Sequence, residues 1–236
     1  MRIKTNLFFL IITFSLALVS CNAGISGPLD AKGSAAFTVN MSLQPRITDL
    51  IRRLNAAGGS QQAGILNAAE IARSIKEAPG VETVALMNTA PNAVEGRIKI
   101  TRVSDFLAGK AGVRFIEFNQ SPGGGNCVLN ISRRSAPEIL SLLSPEIRDY
   151  LEILMAPVVT GEDISRPEYL ALVSSFYNKA VSDEIASSRI NAVIDFPGQV
   201  SSVKGGTFSG SKAVFDIPLA DLLVLETPLS YEVKWK

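Results

Sequence analysis

Histidine is absent from all 236 residues. Its absence excludes Ser-His-Asp and Cys-His catalysis within this chain and any histidine-ligated metal. It also removes the usual proton shuttle near neutral pH. Cysteine is scarce, with only Cys21 and Cys127. A surplus of charge is lacking too: 23 basic residues stand against 22 acidic ones. Such a chain has no electrostatic reason to seek nucleic acid, so Arg52-Arg53 and Arg133-Arg134 read as solvated surface. The apolar run from Leu7 to Val19 holds 13 residues. As a helix it would be about 20 Å long, short of a hydrocarbon core of roughly 30 Å. There is no internal repeat.

What is present begins with that run. Arg2 and Lys4 precede it, and Leu18-Val19-Ser20-Cys21 closes it. A basic start, a short apolar core and a small residue at a cleavage point describe a secretory signal peptide over residues 1–20. The cysteine directly after the cleavage point resembles the lipobox of bacterial lipoproteins. That resemblance implies a thioether-linked diacylglycerol on Cys21 and cleavage before it. A fatty acyl chain such as palmitate on the freed amine would complete the anchor, since stable attachment needs two or three chains. Cys127 would then be the sole free thiol, with no internal disulfide. The expected location is the bacterial cell envelope, on the extracytoplasmic side of a membrane. Asn22 follows Cys21. In enterobacterial lipoproteins an aspartate there retains the protein in the inner membrane, so that resemblance points outward, while inner and outer membrane both stay open.

Residues 21–36 are rich in Gly, Ala and Ser and read as a flexible tether of about 50 Å when extended. A single α+β domain is expected over residues 37–236. Phe37, Val39 and Met41 alternate with polar residues, as in a half-buried strand. Pro45 opens a helix striped by Ile47, Leu50, Ile51 and Leu54. Ser60 is the expected cap of a second helix reaching about Ala78. Val81 to Met87 and Ala93 to Val103 read as strands. Val94, Ile98 and Ile100 point one way there, and Glu95, Arg97, Lys99 and Thr101 the other, so the sheet has a wet face. Ser104 to Ala108 reads as one helical turn. Two strands flank Gln120 to Gly125.

Three helices are expected next, starting at Ser135, at Ser144-Pro145 and at Ser165. The first and third carry capping-box signatures. Tyr169, Leu172, Val173, Phe176 and Ala180 stripe the third. Ala156 to Ile164 reads as a loop. The end of the chain returns to strands near Ile190, Ala213 and Tyr231. The fold expected is α+β, a largely antiparallel sheet packed against amphipathic helices.

Phe196 to Val200 reads FPGQV, Gly206 to Leu223 reads GTFSGSKAVFDIPLADLL, and Pro228 to Trp235 reads PLSYEVKW. Together these resemble the mycobacterial LppM-type lipoprotein domain, with its Phe-Pro-Gly-x-Val, glycine turn, strand, short polar helix-like step and last strand. The resemblance implies an extracytoplasmic α+β domain associated with envelope lipids. A fainter likeness is to spirochaetal lipoproteins of unknown function. Neither supplies catalytic residues.

No motif carries credible chemistry. Gly123-Gly124-Gly125 lacks the Lys-Ser/Thr of a phosphate loop and reads as a hairpin turn. Ser201-x-x-Lys204 and Ser209-x-x-Lys212 match Ser-x-x-Lys spacing, but neither has the helix that would hold the lysine near the serine. Cys127 shares strand parity with Leu129 and Ile131, so it should point inward and be inert. Glu162-Asp163 and Asp183-Glu184 lack calcium-loop spacing and read as exposed charge. The expectation is a non-enzymatic lipoprotein with no cofactor and no metal. Its partners are the membrane, through the anchor, and either lipid or another apolar ligand between helices and sheet. The alternative is a structural or protein–protein adaptor of the envelope.

Overall fold

Alternation along the chain decides the largest sheet. The structure is a computed structural model describing residues 21–57, 65–108, 115–141, 148, 152 and 154–236. Strands β1 (Cys21–Pro28) and β2 (Ala35–Ser42) are followed by helices α1 (Pro45–Ala57) and α2 (Ala68–Lys76). Then come β3 (Val81–Ala90), β4 (Ala93–Ile100), the short α3 (Val103–Ala108), and the hairpin β5 (Ile116–Ser121) and β6 (Gly124–Ile131). Helices α4 (Ala136–Ser141), α5 (Ala156–Thr160), α6 (Arg166–Phe176) and α7 (Lys179–Ser187) follow. The chain ends with β7 (Arg189–Asp195), β8 (Val200–Lys204), β9 (Gly206–Ser209), β10 (Lys212–Pro218), α8 (Leu219–Val224) and β11 (Leu229–Trp235). The fold is α+β, as expected.

A seven-stranded sheet runs β3-β4-β2-β1-β7-β10-β9, and a four-stranded one runs β5-β6-β11-β8. The first contains one parallel pair, β1 with β7, and its other pairs are antiparallel. The two sheets share one core. Phe37, Ile98, Ala213 and Phe215 of the first meet Val200, Val233, Trp235 and Cys127 of the second. The Phe196 and Trp235 rings lie 4.7 Å apart. A second core lies among the helices, where Ile185, Leu223 and Val224 are 0 % exposed. Burying each such side chain contributes about 1.5–3 kcal/mol.

The tether expected over residues 21–36 is corrected by β1. Ala23 to Ser26 pair with β2, and Ala23 to Pro28 pair with β7. Small residues suggest a flexible linker when read alone. Between two partners, they let neighbouring strands close in and satisfy the backbone on both edges. A Cβ at Gly27 would lie 2.1 Å from the Ala36 carbonyl oxygen.

The helices also depart in detail. Asn67, not Ser60, caps α2, accepting from the amides of Ala69 and Glu70. Ser60 itself, the leader and the expected start at Ser144-Pro145 lie outside the described residues. The expected loop after Ala156 holds α5, which ends at Gly161 in the left-handed conformation. The stripe from Tyr169 to Ala180 belongs to two helices. It breaks where the Asn178 side chain accepts from the Val181 amide and caps α7. Ser165 and Glu168 form the anticipated capping box of α6.

Candidate functional site

The wet face of the seven-stranded sheet is built by register. Glu95 of β4 pairs with Asn40 of β2, Asn40 with Gly24 of β1, and Gly24 with Asn191 of β7. One row along, Arg97 pairs with Thr38, Thr38 with Ser26, and Ser26 with Val193. Strand parity puts both rows on the side opposite Phe37 and Ile98. Glu95, Arg97, Thr38, Asn40 and Ser26 are exposed. Gly24 has no side chain to fill its place, which leaves a depression of about 580 Å³. Asn40, Ser42, Glu95 and Asn191 are among its lining residues. Its donors and acceptors are side-chain amides, hydroxyls and one carboxylate. This suits a polar partner and offers no nucleophile activated by a base.

A second hollow, of about 240 Å³, lies where α1 meets the α6–α7 junction. Arg46, Asp49, Leu50 and Arg53 line it from α1, and Phe176, Tyr177, Asn178 and Val181 from the other side. The Glu184 carboxylate accepts from the amides of Arg46 and Ile47, at 2.8 and 3.0 Å. It thereby caps α1 and favours the positive end of that helix. The sequence reads Asp183-Glu184 as exposed charge. Asp183 is exposed, pairing with Lys179 at 2.7 Å, whereas Glu184 is half-buried.

Of the glycine run, Gly123 lies in the β5–β6 turn and Gly124 and Gly125 open β6, where a Cβ at Gly125 would strike the Trp235 ring at 2.3 Å. Ser201 and Lys204 lie three apart on β8 and so face opposite sides. Ser201 donates to the Lys234 carbonyl, and Lys204 donates to the Ser230 hydroxyl. Ser209 and Lys212 are cross-strand neighbours, and both are exposed. Cys127 packs between the sheets, and burial pushes its thiol up to about 11. Asp163 pairs with Arg133 at 3.0 Å. Among the described residues, no group of three or more Cys, Asp or Glu side chains could hold a metal ion. Also among them, no helix is long and apolar enough to cross a membrane. Cys21 opens β1, beside Arg189 at the start of β7.

These observations define an α+β domain with a polar open sheet face. No family model matches the chain, and no curated protein matches it. Among solved structures it is similar to the NMR structure of the Mycobacterium tuberculosis LppM folded domain, with a TM-score of 0.43 and 8% sequence identity. That match covers 91% of this chain and 88% of that one.

Proposed function

We propose that this chain is a membrane-anchored extracytoplasmic lipoprotein, acylated at Cys21, which acts without catalysis by presenting the open sheet face to a polar envelope partner. The basic leader, the short apolar run and the cysteine after Ser20 support the anchor. The observation that carries the binding reading is the Asn40–Gly24–Asn191 row, a polar depression in the middle of a sheet. The sequence's first expectation was an apolar ligand held between helices and sheet. The polar lining of that depression, with Asn40, Glu95 and Asn191, favours the adaptor instead.

Gly24→Val tests this reading. The nearest atoms to its Cβ are those at the end of the Asn40 side chain, with Oδ1 at 2.5 Å, so the depression fills while the strand stays. The expected outcome, by native mass spectrometry after mild detergent extraction, is a stoichiometric partner that the wild type retains and Gly24→Val loses. A partner retained equally by both, or lipid alone in both, contradicts it.

A further inference from the structure

Apolar residues at spacing i and i+4 usually mark the buried side of a helix. On α6 they mark two sides. Tyr169 and Val173 are buried, whereas Leu172 is 43 % exposed and Phe176 79 % exposed. Tyr177 follows, still 38 % exposed. This apolar end projects beside the hollow lined by Arg46 and Arg53, which share one face of α1. Both arginines are exposed, and neither guanidinium has an ion-pair partner among the described residues. The nearby acids are engaged: Asp49 with Arg52, Asp183 with Lys179, and Glu184 with the α1 amides. A projecting phenyl ring flanked by unpaired guanidinium groups is complementary to a bilayer surface with anionic headgroups.

The position of the anchor residue adds a second argument. Cys21 starts β1 beside Arg189, and α7 lies between Arg189 and the Phe176–Tyr177 end. A nine-residue helix is only about 14 Å long. No free tether separates the acylated residue from the folded sheet.

We infer that the α6 end, with Leu172 and Phe176 flanked by Arg46 and Arg53, docks on an anionic phospholipid surface and holds the domain flush against the bilayer that carries its anchor. This rests on the anchoring proposed above. Phe176 enters the acyl boundary, and the two arginines meet phosphate groups. The β1 start lies beside Arg189, one nine-residue helix away from Phe176.

The test uses the full acylated protein in vesicles, with a nitroxide on Ser175→Cys. Ser175 is exposed on α6 beside Phe176. Cys127 lies packed between the sheets and does not compete for the label. Collision with oxygen reports lipid, and collision with a nickel chelate reports water. In vesicles of phosphatidylcholine with phosphatidylglycerol the label should face lipid, and in pure phosphatidylcholine it should face water. Arg46→Gln and Arg53→Gln should each lower the docking constant about fivefold, and high salt should act the same way. Phe176→Ser should move the label into water. A label facing water in both vesicles overturns the inference. So does a label shielded from both reagents, which means a protein surface covers it. The mass of the amino-terminal peptide from the same sample tests the anchor separately. Acylation with a water-facing label sinks only this inference, and a lipid-facing label without acylation sinks only the anchor.

Discussion

The Arg133 guanidinium holds the backbone of Leu225. Its Nε donates to the Leu225 carbonyl at 3.2 Å, and Nη1 donates to the Glu162 carbonyl at 2.7 Å. Leu225 ends α8 at φ 47°, in the left-handed region, with its side chain only 3 % exposed. The buried side chain and the arginine together hold a conformation that leucine ordinarily avoids. Arg133→Met should therefore cost about 1.5–3 kcal/mol, the range for losing a hydrogen bond from a charged donor, here to the part-buried Leu225 carbonyl. Urea unfolding measures this. A change within experimental error would show that Leu225 keeps its conformation unaided.

Gly27→Ala examines β1. At φ 152°, with the Ala36 oxygen 2.1 Å from the added carbon, the strands would have to part. The expected loss is about 2 kcal/mol or more, by the strain and overpacking such a contact imposes. Hydrogen exchange should show the β1 amides that pair with β2 and β7 exchanging slowly in the wild type. Exchange at free-chain rates would restore the tether reading.

That strand marks the limit of what could be read from residues alone. The alternation of β4 was legible because its two faces meet different environments: Val94 and Ile100 are buried, Glu95 and Lys99 exposed. β1 has little side-chain contrast, and its strand state depends on partners distant in the chain. The same holds for the candidate site. Asn40 and Asn191 are brought to either side of Gly24 only by sheet register. The α6–α7 break was hidden because the apolar stripe runs through it, and the cap at Asn178 is a single polar residue. The Ser165–Glu168 capping box was visible because it is wholly local.

The acid response should expose that box. The Ser165 hydroxyl and amide donate to the Glu168 carboxylate and hold it below its ordinary value of 4.5. A group whose folded value is depressed contributes stability above its unfolded value and loses it as pH falls through the folded value. Asp30 is lowered in the same way, chiefly by the Ser34 hydroxyl and amide. Stability should therefore fall as pH drops below the ordinary carboxylate range. Glu168→Gln with Asp30→Asn should flatten that limb of the pH profile. An unchanged slope would contradict the assignment.

Cys127 provides a probe of the core between the sheets. Burial holds its thiol near 11, so the thiolate is scarce at pH 8. Modification by a disulfide reagent at that pH should be slow in the native protein. It should accelerate with denaturant in step with global unfolding. Rapid stoichiometric reaction under native conditions would place the sulfur at the surface.

Everything proposed about location depends on Cys21, and one measurement reads it directly. The membrane fraction of cells expressing the full chain is digested, and the amino-terminal peptide is weighed. The prediction is a peptide beginning at Cys21 and carrying diacylglycerol and a further acyl chain, absent from cells expressing Cys21→Ser, in which residues 1–20 remain attached. An unmodified peptide beginning at Cys21, or a chain still beginning at Met1 in the wild type, would contradict the anchor.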